Sequence, residues 1–489
     1  MATTTTTVWI TMEDAKTSFN LFCCILGIGS LAMPSNYARA GPLYATIALA
    51  FMMFANTYAA IKLSRAMLAA PSSVKTYGDL GEWALGKWGR FFSVVSQLGV
   101  CVLVPIAFLI LGSTLLDVVF PDTFERTFWI IFMALMVIPV CLIPTLKESA
   151  GMAFAGCMGT AIADIIAVAI LQWNMPYGAA IVIPDLQREH SQPQRMPRVL
   201  MVTIVLISAF FFAIALAGYL AGGCQISGNV LYSIVDTSNP MGPTPLGFTP
   251  SRAAVVMAYL SMQVHVSIAF STFMMPPFYM AERLILGMHE TTPIVRFNPD
   301  EDQEIIEQDL ELQEKYSYVQ SSTPVETSGR RVSASSLVEK PEGRMSHLRV
   351  SLELDEEITE EQLREPYKGT KNKLRYITLR ITIIIIMVIV AVAVQDKFLD
   401  LEDFTGATAH TVNCMLMPVL IYMRVFWRKM SILDKAASIS VLVVCGLAGL
   451  YVMIHAGKNL VTPSDDDTAF PYCDAEYQDE PYYIRNSTN

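Results

Sequence analysis

Leu26-Gly27-Ile28-Gly29-Ser30-Leu31-Ala32-Met33-Pro34 interrupts an apolar segment that runs from Phe19 to Ala38. At about 1.5 Å per residue that segment matches the roughly 30 Å hydrocarbon core of a bilayer, so it reads as a transmembrane helix. Its middle is poorly suited to one. Two glycines, a serine and a proline weaken or remove main-chain hydrogen bonds, which hydrocarbon cannot replace. A helix broken at that depth persists only where protein encloses it or where it lines a wet cavity. Half-helix ends there turn N–H groups toward a carboxylate and C=O groups toward a cation, so the break suggests a binding site. The alternative is a glycine-rich face packed on a neighbouring helix.

The rest of the 489 residues supports a membrane setting: 53% are hydrophobic and only 16% charged, against about 25% charged in an average soluble domain. The net charge of −10 resides mainly in residues 298–365 and in the last thirty. It therefore describes loops and tails, and nucleic-acid binding has no support. No basic n-region precedes the first apolar run and no small-residue cleavage site follows it, so that run is expected to act as its own insertion signal. Seven of the nine cysteines lie in apolar runs without metal-ligand spacing, and no metal site is expected. Cys224 and Cys473 fall in connecting segments, and whether they pair depends on which side those segments face.

Further spans are expected at 43–63, 91–119, 128–143 and 151–173, with a polar segment at 71–90. A partial sixth is built on Met175 to Pro184, and five more follow at 199–221, 253–280, 377–394, 404–425 and 437–455. Only 34 residues separate Ala150 from Ile183, about 51 Å of helix, which is short for two full crossings. Two crossings nevertheless place every Lys/Arg cluster on one side, whereas one tilted span would set the clusters after Arg188 opposite the earlier ones. The two-crossing count gives about eleven transmembrane helices in an all-α polytopic membrane protein. Residues 1–15 are then cytoplasmic, 16–281 carry helices 1–8, and 374–456 carry helices 9–11. Between them, 282–373 form an acidic, Ser-rich, disordered cytoplasmic loop, and 457–489 an extracellular or lumenal tail. Ser333 follows Arg330-Arg331-Val332, a pattern that a basophilic kinase would accept. Asn486 opens an Asn-Ser-Thr sequon close to the chain's end.

With the chain laid out, the sequence resembles the amino acid/auxin permease family. The matching residues are Asn20, Gly27-Ile28-Gly29-Ser30-Leu31-Ala32-Met33-Pro34 and Ala40-Gly41, then Ile183-Pro184-Asp185-Leu186-Gln187 with Met196-Pro197-Arg198-Val199. Gly218-Tyr219-Leu220, Thr405-Gly406-Ala407 and Met417-Pro418 extend the likeness over nearly the whole membrane part, though not over 282–373. The resemblance implies a LeuT-like fold of two inverted five-helix repeats, with helices 1 and 6 broken and an extra eleventh. It also implies proton- or sodium-coupled amino acid symport. Carried over, Gly27 to Ser30 would hold the substrate, faced by Tyr177 and Gly178 of the sixth helix. The sequence departs from the family there: Trp173 runs almost directly into Tyr177, where the family has some tens of residues more. A shortened sixth helix, or a misassembled gene, would each account for it.

Asp164, in mid-span, is a candidate proton acceptor, because an ionised carboxylate there costs about 2.5–3.5 kcal/mol on insertion scales. The alternative is a hydrogen-bonded carboxyl facing a neighbouring helix. His265, Ser271 and Thr272 on the eighth span are candidates for ion coupling, although hydroxyls in helices more often bond back to their own backbone. His410 is a weaker proton-relay candidate, and Arg39 reads as an interfacial side chain. No nucleophile–base pair or phosphate loop appears, so an enzyme is not expected, and no cofactor beyond the coupling proton or sodium ion is needed. The expected function is secondary active amino acid transport by alternating access in a plasma, vacuolar or lysosomal membrane. A receptor signalling through 282–373, or an inactive truncated relative, are the alternatives.

Overall fold

The computed structural model describes residues 12–25, 31–71, 73–143, 146–171, 195–237, 239–288, 296–298, 367 and 369–461. Among them the elements are helical: α1 (Met12–Ile25), α2 (Met33–Ala40), α3 (Pro42–Ala69), α4 (Tyr77–Val119), α5 (Arg126–Cys141), α6 (Leu146–Leu171), α7 (Met196–Gly222) and the short α8 (Val230–Ser233). They continue as α9 (Arg252–Ala281), α10 (Thr370–Ala393), α11 (Phe398–Thr405), α12 (Met417–Phe426) and α13 (Ile432–Val461). Seven helical stretches among the described residues are long and apolar enough to cross a membrane. The chain is thus a multi-pass membrane protein whose regular elements, among the described residues, are helices.

Local sequence sets the boundaries. Gly41 takes φ 76° between α2 and α3, a left-handed value that a side chain disfavours, and Pro42 then opens α3, where its missing N–H costs nothing. The third span was expected from Phe91, after a polar segment, but α4 begins at Tyr77. Thr76 and Asp79 form a reciprocal cap, the Thr76 Oγ1 accepting from the Asp79 N–H and the Asp79 carboxylate from the Thr76 N–H. At Gly86 (φ 75°, ψ −159°) the chain turns sharply, and the first turns fold back on the main helix. Glycine permits that approach: a Cβ on Gly78 would lie 2.6 Å from Val94, and Gly81 meets Gly89 backbone to backbone.

Contacts between helices fix their directions. α1 and α7 are parallel, since Asp14 pairs with Arg195, Ser18 with Thr203, and Phe22 lies 6.5 Å from Phe210 between ring centroids. α6 and α9 are antiparallel, with Gly156 opposite His265 and Gly159 opposite Ser261. α9 starts at the end where α7 finishes, for Tyr259 donates to the Leu231 carbonyl in the connection between them. α6 and α7 therefore run the same way, and Leu171 and Arg195 stand at opposite ends of the helix bundle. The expected sixth span lies between them, outside the described residues.

The end that carries the basic clusters is tied together by buried polar contacts. Arg283, at the end of α9, donates to Asp79 at the start of α4 over 2.8 Å. Lys62 of α3 pairs with Asp434 of α13 at 2.7 Å, between the rings of Tyr58 and Tyr422. Arg380 of α10 donates to Glu282 and to the carbonyls of Cys141 and Ile143. The loop expected at 282–373 is helical at both ends: α9 continues as a π-helical turn over Glu282–Leu286, and α10 starts at Thr370.

The tightest seam joins α6 to α9. A Cβ on Gly159 would sit 2.5 Å from the Ser261 carbonyl oxygen, a backbone atom that cannot swing aside. Gly159→Val is expected to destabilise the protein by about 1–3 kcal/mol or more through overpacking. The melting temperature of detergent-solubilised protein reads this, and an unchanged value would mean that the two helices part easily.

Candidate functional site

The last described residue of α1 is Ile25, and the next described helix, α2, starts at Met33 with Ala32 as its N-cap. Gly27, Ile28, Gly29 and Ser30 lie between these helices, outside the described residues, as do Tyr177 and Gly178. Ser333 and Asn486 also lie outside them. The described wall around the gap is formed by α1, α6 and α9, which pack pairwise against one another.

Three polar side chains on this wall are buried and incompletely bonded. Asn20 of α1 is 2% exposed, and its Oδ1 has no hydrogen-bond partner. Asp164 of α6 is 2% exposed, and its Oδ2 has none. His265 of α9 is fully buried; its Nδ1 lies 3.2 Å from the Gly156 carbonyl, while Nε2 is left without a partner. Thr160, one turn below Asp164, also donates to Gly156 O, at 3.2 Å. Orphaned buried polar atoms are uncommon in folded proteins, which makes each of these three a candidate for function.

Helix geometry separates the candidates by depth. The Phe19 and Phe154 rings meet at 4.9 Å, and α1 and α6 rise together. Ten residues, or about 15 Å, above Phe154 comes Asp164, while Ile25 stands only about 9 Å above Phe19. Asp164 therefore lies about one turn beyond Ile25, the last described residue of α1. His265 faces Gly156 about 12 Å nearer the basic end. Ser271 and Thr272 are one to two turns further still, and both donate to the Ile268 carbonyl, at 2.7 and 3.2 Å. The structure thus sets Asp164 a little beyond the last described turn of α1, and Ser271 and Thr272 roughly 20 Å from it along the seam. One ion cannot touch both.

Other features were missed or read differently from the sequence. Arg39, expected to be an interfacial side chain, is exposed at the end of α2 but interacts electrostatically with Asp403 of the Asp400–Phe426 span. That span contains two π-helical stretches, Gly406–His410 and Val412–Leu416, between α11 and α12. There the Asn413 carbonyl accepts from Tyr77 at 2.8 Å and its side-chain oxygen from Ser96 at 3.4 Å, while His410 Nδ1 lies 3.3 Å from Cys414 Sγ. π-Turns recur at functional positions. Gly406 and the run of small polar residues after it are the only sequence signal for them.

Comparison with known proteins adds two findings. A family model described as transmembrane amino acid transporter protein matches residues 13–178 and 175–460. The two segments meet at 175–178, the place where Trp173 runs into Tyr177. Among curated proteins, amino acid transporter AVT1I of Arabidopsis thaliana is 25% identical over 273 residues, covering 49% of this chain and 64% of that protein. The chain thus matches somewhat less than two thirds of that relative's length.

Proposed function

Because the chain belongs to the transmembrane amino acid transporter family, a family of transporters and not of enzymes, we propose that it is a secondary active amino acid transporter. In this reading it works by alternating access in a LeuT-like arrangement of two inverted five-helix repeats. The substrate sits at the Gly27 to Ser30 interruption, with Tyr177 and Gly178 opposite. A proton, in preference to sodium, drives it. The observation that carries the reading is Asp164, a buried carboxylate with an unpartnered oxygen about one turn beyond the last described residue of α1. A carboxyl group so placed can take a proton from one side and give it up to the other as the helices rearrange. The alternative ion site is at Ser271 and Thr272, whose hydroxyls donate to the Ile268 carbonyl and keep their oxygen lone pairs for a cation.

The test is uptake of labelled amino acids into proteoliposomes, with and without an imposed pH gradient and with sodium present or absent. Uptake that rises when the outside is acidified, and ignores sodium, supports the reading. Uptake that requires sodium at constant pH overturns the proton assignment. Saturable binding without flux would favour a receptor signalling through 282–373, a reading for which Glu282, Tyr367 and Arg380 at that loop's two ends offer a mechanical link.

A further inference from the structure

The fold-back at the start of α4 ends at the basic side of the bundle, and residues 296–298 close it. A helix that ends leaves its last carbonyls without donors of its own, and the helical path here breaks at Gly86. The Trp83 carbonyl, three residues earlier, accepts from the Phe297 N–H over 2.8 Å. The Arg296 guanidinium lies against Gly86, so close that a Cβ there would meet its Nη2 at 2.8 Å. A cation in that position faces the partial negative charge of the helix's carboxyl end.

Phe297 carries the hold inward. It is 3% exposed, and its ring meets that of Trp83 edge to face, 5.2 Å between centroids. Arg424, in the last turn of α12, sets its guanidinium 5.5 Å from the centre of the same ring. The seat is therefore shared between two elements, the fold-back and α12, and the residues that join them there belong to neither. Trp83 is buried, whereas Arg296 and Arg424 are exposed. The seat thus opens toward water at the basic end, and Phe297 has a way out that disturbs no helix. One ring, one main-chain hydrogen bond and two cations hold it in place, which is little enough to be released repeatedly.

We propose that Arg296 and Phe297 form a strap that ties the fold-back of α4 to α12, must leave its seat in each transport cycle, and by its grip slows that cycle. The proposal rests on the transporter reading given above. Contacts made in only one conformation stabilise that conformation alone, so weakening them speeds departure from it. A permanent cap on the helix end would need no release, and fastening it would change nothing.

The test fastens the strap and then loosens it, in the full chain reconstituted into proteoliposomes. Trp83→Cys and Phe297→Cys are combined, because two residues joined by that main-chain bond have Cα atoms within the roughly 7 Å that a disulfide spans. Copper–phenanthroline is expected to join the two positions, read by mass spectrometry of the linked peptides. Uptake of labelled amino acids should then fall by about tenfold or more, and dithiothreitol should restore it. Each single cysteine variant should ignore both reagents. Arg296→Gln loosens the strap from an exposed position and leaves the core intact. It is expected to raise the initial rate of uptake by about twofold or more at an unchanged melting temperature. Cysteines that fail to join, uptake that continues in the joined protein, or an Arg296→Gln chain no faster than the unsubstituted one would each overturn the proposal. An unsubstituted chain that takes up no amino acid under any gradient overturns the transporter reading instead, and the strap's role in transport falls with it.

Discussion

Asp164→Asn is expected to abolish gradient-driven uptake while leaving the protein folded and able to bind its substrate. The substitution keeps the shape and hydrogen-bonding capacity of the side chain and removes only its ability to ionise. If the carboxyl carries the coupling proton, uptake driven by an acid-outside gradient should fall by about tenfold or more. The sign matters. With the wild-type side chain, acidifying the outside loads the carboxyl from that side, and uptake rises. With Asn there is nothing to load, and the flux that remains should be indifferent to the gradient. Asp164→Glu, which restores the ionisable group about one methylene out of place, should recover part of the response. The measurement is labelled uptake into proteoliposomes across a series of outside pH values, with substrate binding followed in detergent as the folding control. Gradient-dependent uptake that survives in Asp164→Asn would remove this residue from the coupling path and return attention to His265 or His410.

Much of this architecture could be read from the sequence because bilayers impose a strong rule on backbone bonding. Apolar runs near twenty residues long marked most of the spans, and α3, α7, α9 and α13 fall within a few residues of their expected positions, fraying aside. What could not be read was mostly polar. The stretch 71–90 reads only as a polar segment in the sequence; its helix rests on the Thr76–Asp79 cap and on a fold-back that glycines at 78, 81 and 89 allow. Periodicity does not see such contacts. Part of the reading of the site follows from the same rule. An aspartate in mid-span announces itself by its cost, and Asp164 is buried in α6 with one oxygen unpartnered. Hydroxyls announce nothing, since a serine that bonds its own helix and one that holds an ion look alike in sequence. Ser271 and Thr272 bond their own helix.

Arg380→Met and Glu282→Leu should each be severely destabilising, and the double substitution should cost less than their sum. Arg380 is 1% exposed and Glu282 is fully buried, and their Nε–Oε1 contact is 2.8 Å. The guanidinium also donates to the carbonyls of Cys141 and Ile143, at 2.7 and 2.9 Å, and lies over the rings of Phe278 and Tyr376 at 4.9 and 5.1 Å. Tyr367 adds a hydrogen bond of 2.8 Å to Glu282 from the far end of the loop. Removing the arginine strands a carboxylate and two carbonyl oxygens away from water; removing the glutamate strands a guanidinium. Breaking a buried pair in this way costs about 3–5 kcal/mol, whereas replacing both partners with apolar side chains of similar volume is far milder. The comparison is therefore between melting temperatures of the two single variants and the double variant in detergent. A large drop in each single, with recovery in the double, is the expected pattern. If the double variant instead falls by the full sum, the two residues act separately. The junction of α5, α9 and α10 would then owe its stability to apolar packing, and the loop between Glu282 and Arg380 would have no mechanical hold on the helices it connects.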